Sequence, residues 1–233
     1  MKSKEEPTSR HQDATVPADY PYNKRPNPLE RLIYFLLFLY AKFHLKFILK
    51  TTVKNKKILP KNSPFFLYAN HTQPLGDPFL AVTLFYPNTP RVLVSPANLG
   101  IPFIGRFLHL AALPIPSDLK TLKRFNRALK DAYETNHPII IFPEAHVLPY
   151  CPIIREISEK SFRPAAKLRS DVYVMTTTYK KPKFGKKPRI IVHLDGPLSP
   201  DPAKTASENA SFLCTTTLKT LHSRTKNNYI YYP

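Results

Sequence analysis

The chain has 233 residues, enough for one well-buried domain with some length left for appendages. Lysine and arginine number 35 against 16 acidic residues, and the formal net charge of +19 favours nucleic acid, anionic lipid or phosphorylated small molecules as partners. Five glycines against 26 prolines speak against a glycine-rich phosphate cradle, and the two cysteines, Cys151 and Cys214, form neither a disulfide framework nor a Cys-x-x-Cys pair, so a reducing cytoplasmic setting is the default.

Residues 1–28 are polar, with prolines at 7, 17, 21, 26 and 28, and read as a disordered or loosely packed tail without a secretory signal. The first ordered element is expected from Leu29 to about Val53. Its first half, Leu32 to Ala41, is apolar all round. Its second half carries Lys42, Lys46 and Lys50 at i, i+4 spacing, which places three ammoniums in one stripe. A spanning helix needs about 20 largely apolar residues. This segment loses that character halfway along, and lysines in mid-bilayer are costly, so residues 29–57 read as an interfacial or re-entrant membrane-associating helix. The alternative is an amphipathic helix packed on the protein's own core. Lys54, Lys56 and Lys57 follow and suit anionic headgroups.

Strands and helices then alternate. Phe65–Ala69 is a short apolar strand, and Pro78–Phe85 a helix with Asp77 as its N-cap and proline at its first position. Arg91–Ser95 is a second strand. Leu119–Asn136 reads as a helix with Leu122, Phe125, Leu129 and Tyr133 on one face. Ile139–Phe142 and Val172–Thr178 are buried strands, Arg189–Asp195 pairs with the latter across a basic turn, and a last helix covers about 203–223. Such alternation means an α/β fold: a mostly parallel central sheet flanked by helices, with an antiparallel piece.

Two segments could carry chemistry. The Phe65–Ala69 strand opens into Asn70-His71-Thr72-Gln73-Pro74-Leu75-Gly76-Asp77, and Ile139–Phe142 opens into Pro143-Glu144. Catalytic groups gather at the carboxyl ends of strands, where loops from distant parts of the chain converge. A neutral imidazole beside a carboxylate can take a proton from a hydroxyl, while the carboxylate fixes the tautomer and stabilises the imidazolium. Asp77 lies six residues beyond His71, so the intervening loop must turn, and Pro74 and Gly76 supply turn chemistry. On the bland reading Asp77 only caps a helix, Glu144 caps a turn, and His146 faces solvent rather than an anionic group.

Taken together, the segments resemble the glycerolipid acyltransferases, the family that includes 1-acyl-glycerol-3-phosphate acyltransferase. Asn70-His71 with Asp77-Pro78 is similar to the family's first block, and Phe142-Pro143-Glu144 to its third. Leu99–Gly105 fits the intervening x-x-P-x-x-G segment, and Asp171–Met175 stands where the family has a later hydrophobic strand. The resemblance covers about residues 60–200 and implies an acyltransferase domain over 58–233. It departs in detail: five residues instead of four separate His71 from Asp77, and Glu144-Ala145-His146 replaces Glu-Gly-Thr-Arg. Ala112–Pro116 occupies the stretch where a basic residue near the acceptor phosphate is usual. Arg106, Arg155, Arg163 or His146 are the replacements available, since a guanidinium can grip phosphate from several frames.

The resemblance implies that His71, oriented by Asp77, deprotonates a hydroxyl of a lysophospholipid-like acceptor, which attacks an acyl thioester while backbone or Asn70 donors hold the oxyanion. Glu144 binds the acceptor or orders the pocket. Acyl-CoA or acyl-carrier protein is the implied co-substrate, with no bound cofactor, no covalent intermediate and no metal. Consistent with this, the sequence has no G-x-S-x-G elbow and no H-E-x-x-H spacing. The implied location is the cytoplasmic face of the cell membrane, with membrane lipid and an acyl carrier protein as partners. The six cations of Lys180–Arg189 make either a solvated hairpin turn or a dock for anionic lipid or an acidic carrier. Two rival readings stay open: a basic membrane- or nucleic-acid-binding module without catalysis, and a hydrolase using the same His–Asp site. No nucleic-acid partner is expected, because no helix-turn-helix, zinc-finger or RNP-like pattern appears.

Overall fold

Five residues in a row, Phe65–Ala69, are wholly excluded from solvent, and they mark the centre of the molecule. In the computed structural model, which describes residues 14–101, 105–116, 118–151, 153–182, 185 and 187–229, the chain forms seven strands. These are β1 (Thr52–Lys54), β2 (Phe66–Ala69), β3 (Arg91–Val94), β4 (Ala112–Pro114), β5 (Ile139–Ile141), β6 (Val172–Lys180) and β7 (Arg189–Leu198). The helices are α1 (Pro28–Phe43), α2 (Gly76–Phe85), α3 (Leu119–Glu134), α4 (Arg163–Lys167) and α5 (Ala206–Thr225).

The strand order is β1-β7-β6-β2-β5-β3-β4. From β6 to β4 all neighbours are parallel, β7 is antiparallel to β6, and β1 runs parallel to β7 at the edge. The expected α/β class with an antiparallel piece is therefore the observed one.

Alternation along the strands sorts the core into two layers. Phe66, Tyr68, Ile139 and Ile141 pack against α3, α4 and α5 through Phe125, Ala165 and Leu213. Phe65, Leu67, Ala69, Ile140 and Met175 face the other way, against α2 through Leu80, Ala81 and Leu84.

Helix α1 starts with an Asn27–Glu30 capping box and Pro28 in its first turn. Its inner side docks on the body: Phe38 stacks on Tyr86 at 4.1 Å, and Glu30 meets Lys24 at 2.8 Å and His109 at 3.2 Å. A π-helical turn, His44–Ile48, extends it.

Three sequence expectations are corrected. The tail is packed where it is described: Val16, Tyr20 and Tyr22 are buried beside Phe125, and the Tyr22 hydroxyl donates to the Pro114 carbonyl at 2.9 Å. These aromatic and aliphatic residues gain more from burial than the surrounding polar and proline-rich composition suggests. Residues 1–13 lie outside the described residues. The first element does not reach Val53 as a helix, and the division at 57/58 cuts nothing, because the sheet already includes Thr52–Lys54. Lys50 takes a left-handed φ of 48° that ends the helix, and the β-branched Thr-Thr-Val that follows suits an edge strand. Finally, α2 begins at Gly76 with Leu75 as N-cap, so Asp77 sits inside the first turn. Its carboxylate is drawn back onto the preceding loop and is therefore unavailable as a cap.

Candidate active site

Parallel neighbours deliver their following loops to the same edge of a sheet. β2 and β5 are such neighbours, with Tyr68 opposite Ile141, so the loops beginning at Asn70 and Phe142 emerge side by side. This brings Glu144 beside His71, 73 residues earlier in the sequence, whose own loop leads into Asp77.

The His71 Nδ1 lies 2.8 Å from Asp77 Oδ2. The same oxygen accepts the backbone N–H groups of Thr72 and Gln73, each at 3.0 Å. With Nδ1–H donating to the carboxylate, the tautomer leaves the Nε2 lone pair free to accept a proton. The imidazole also stacks on Phe142, with centroids 4.4 Å apart, so its plane is set by a ring as well as by a hydrogen bond. Asp77 is fully buried, and its Oδ1 has no hydrogen bond among the described residues. Burial accordingly pushes the Asp77 carboxyl up, against the downward pull of His71 and the two loop amides. The extra residue between His71 and Asp77 thus does not separate the pair; the loop folds it into the turn around Gly76.

Glu144 is also buried, with a side chain only 1% exposed. Its Oε2 accepts from Arg155 Nη2 at 2.8 Å and Nε at 3.2 Å, and from the His71 backbone N–H at 3.4 Å. Arg155 also donates to the carbonyl of His146. The Glu144 carboxylate is therefore a strut between the histidine loop and the 146–155 segment. That segment runs beside the histidine loop, with Leu148 N–H on the His71 carbonyl at 3.2 Å and Tyr150 N–H on the Thr72 carbonyl at 3.0 Å.

Ala145 has a φ of 64°, in the left-handed region. The glycine that the family resemblance leads one to expect here would adopt this conformation freely, whereas alanine does so at a cost of roughly 1–2 kcal/mol. The backbone turn is kept despite the substitution.

The other expected site residues are placed as follows. Asn70 is buried, and both ends of its amide are engaged by the backbone of Thr177, Nδ2 donating at 3.0 Å and Oδ1 accepting at 2.8 Å. It fastens the loop to β6 and keeps one N–H for any other use. His146 is exposed beside the strut. The side chain of Arg106 and residues 102–104 of the x-x-P-x-x-G segment lie outside the described residues, as do Lys183, Phe184 and Lys186 of the basic loop. Among the described residues no group of three or more His, Cys, Asp or Glu is placed to hold a metal ion.

Sequence reasoning missed Tyr179. Its hydroxyl donates to Thr72 Oγ1 at 2.6 Å and accepts from Gln73 Nε2 at 2.8 Å. Residues 173, 175 and 179 share a strand face by simple alternation, which was the available signal. That β6 runs far enough past β2 to reach the loop was not visible locally.

A sheet edge that gathers a histidine and two buried carboxylates from the loops after adjacent parallel strands can carry proton-transfer chemistry, and here it belongs to an acyltransferase. The chain belongs to the Acyltransferase family, whose profile matches residues 50–180. Its fold is similar to the crystal structure of the 1-acyl-sn-glycerophosphate acyltransferase PlsC from Thermotoga maritima, with a TM-score of 0.58 and 15% identity over 87% of this chain and 84% of that one. A comparison with curated proteins gives no match.

Proposed function

We propose that this acyltransferase moves a fatty acyl chain from a thioester, either acyl-CoA or acyl-carrier protein, to the hydroxyl of a lysophospholipid such as a 1-acyl-glycerol phosphate. The observation that carries the reading is the 2.8 Å contact of His71 Nδ1 with buried Asp77, which leaves Nε2 as the base. The acceptor O–H proton passes to Nε2, and its oxygen bonds to the thioester carbonyl carbon. The C–S bond then breaks, and the departing thiolate takes the proton from the imidazolium. Asp77 stabilises the imidazolium formed midway. The oxyanion falls to backbone donors or to the one Asn70 N–H that β6 leaves open. Arg155, whose side chain is 17% exposed and pairs with Glu144, offers its remaining N–H groups to the acceptor headgroup, with exposed His146 beside it as a further polar contact.

Helix α1 supports a membrane setting. Leu29, Leu32, Leu36, Leu39 and Phe43 on its outer side are 46–64% exposed, with Lys42 in its last turn. No helix among the described residues is long and apolar enough to cross a membrane. In this reading the exposed apolar side of α1 places it in the interface, with that side in the acyl boundary and Lys42 among the headgroups. In this position the enzyme would meet its acceptor at the bilayer surface, on the cytoplasmic side.

The test supplies purified protein on vesicles with radiolabelled acyl thioester and lysophospholipid. Label appearing in diacyl phospholipid is the expected result. Label released only as free fatty acid would make water the acceptor and the protein a hydrolase.

A further inference from the structure

Strand β6 does not stop where its parallel neighbour does. β2 ends at Ala69, opposite Met175, while β6 continues to Lys180 alongside β7. The overshoot forms a wall beside the loop that follows β2. Thr177 meets Asn70 through its backbone, and two residues on, Tyr179 projects to the same side and lies beneath Thr72 and Gln73.

Thr72, Gln73 and Tyr179 are each at most 3% exposed. A polar group buried to that degree is costly to leave unpaired, so the Tyr179 hydroxyl and its two partners lock one another in place. Thr72 and Gln73 are also the residues whose backbone N–H groups converge on Asp77. The loop is therefore gripped from both sides: its amides by Asp77, its side chains by Tyr179. Gly76 permits this arrangement, because a Cβ there would stand 2.8 Å from Gln73 Cβ and 3.2 Å from Leu49 Cδ1. Tyr179 is itself anchored from the far end of the chain. Its N–H donates to Asn228 Oδ1 at 2.8 Å, and its carbonyl accepts from the Tyr229 N–H at 3.0 Å.

We infer that Tyr179 is a positioning residue: through Thr72 and Gln73 it sets the orientation of His71 against Asp77, and the segment after α5 holds it there. The loop with five residues between histidine and aspartate has one more pair of backbone torsions to fix than a four-residue loop, and the Tyr179 hydroxyl supplies the constraint. The consequence for catalysis rests on His71 being the base, as proposed above. The orientation of the imidazole can be read without that assumption.

The experiment compares wild type with Tyr179→Phe in the full chain, using nitrogen-15 histidine spectra with His71 assigned by its loss in His71→Ala, and steady-state acyl transfer. The expected result has two parts. The His71 ring nitrogens shift or split into a tautomer mixture, and kcat falls at least tenfold while KM for both substrates stays within twofold. Gln73→Leu, which keeps the Tyr179–Thr72 bond, lowers kcat by a smaller factor, and the double variant is no worse than Tyr179→Phe alone, because that variant has already lost the link to Gln73. Unchanged His71 ring nitrogens in Tyr179→Phe would overturn the positioning role, whatever the rates do. Shifted ring nitrogens with an unchanged kcat would uphold the positioning and count against His71 as the base.

Discussion

The carboxyl-end edge of β2 and β6 and the outer side of α1 are built on opposite principles. At the sheet edge, charged and polar side chains are buried and tied to one another: Asp77 to His71 and two amides, Glu144 to Arg155, Asn70 to Thr177, Tyr179 to Thr72 and Gln73. Along α1, leucines and phenylalanines face solvent while the polar groups lie at the ends. The first region sacrifices solvation to hold a few atoms in one geometry. The second leaves apolar area uncovered that only an apolar environment would remove from water. A fixed polar centre together with an uncovered apolar surface is what the proposed acyl transfer to a membrane acceptor would require.

Mutations can break each side of this contrast separately. After His71 itself, Asp77→Asn should cost the most: the tautomer and the imidazolium lose their partner, and kcat should fall a hundredfold or more with the fold retained, as judged by circular dichroism. A loss under tenfold, about 1.4 kcal/mol of barrier, would make Asp77 a structural residue only. Next comes the strut. Arg155→Met leaves the Glu144 carboxylate buried without its cation, and removing one partner of a buried pair costs about 3–5 kcal/mol. Urea denaturation should register most of that. A change below about 1 kcal/mol would place the pair with surface ion pairs instead.

On the α1 side the expectation reverses, with binding lost and stability kept. Replacing Leu32 and Leu36 together by glutamate should weaken co-sedimentation with anionic vesicles at least tenfold, since each buried leucine contributes about 1.5–3 kcal/mol to partition. Thermal unfolding in vesicle-free buffer should barely change, because both side chains are more than half exposed. Unaltered vesicle binding would refute the docking role of this face. The smallest effect sharpens the account of the site's turn. Ala145→Gly should stabilise the protein by up to about 1 kcal/mol by relieving the left-handed φ, the gain being offset in part by the greater freedom of glycine in the unfolded chain. Destabilisation would mean that the alanine methyl is needed there.

Much of this was legible in the sequence because it is written in short-range pattern. Phe65–Ala69 and Ile139–Phe142 are unbroken apolar runs that end in His71 and Glu144, and such runs in an alternating chain place their following residues at one sheet edge. What escaped reading was set by tertiary placement. Residues 14–27 look like a tail because proline and polar residues surround Tyr20 and Tyr22, yet those two rings fill a gap beside α3. Asp77 follows the rule for a helix cap in sequence, but the competing bonds from His71, Thr72 and Gln73 turn its carboxylate away. Arg155 was a candidate from its charge, but its pairing with Glu144 was not, and Tyr179 reaches Gln73 from 106 residues beyond it; no local spacing encodes such contacts.

The central claim is that His71 is the base of the transfer, and a single-turnover assay with preformed thioester and lysophospholipid on vesicles tests it most directly. The account predicts that His71→Ala, folded and vesicle-bound like wild type, loses at least a thousandfold in the rate of acyl transfer, roughly 4 kcal/mol of barrier. Transfer by His71→Ala at a rate within tenfold of wild type would contradict it.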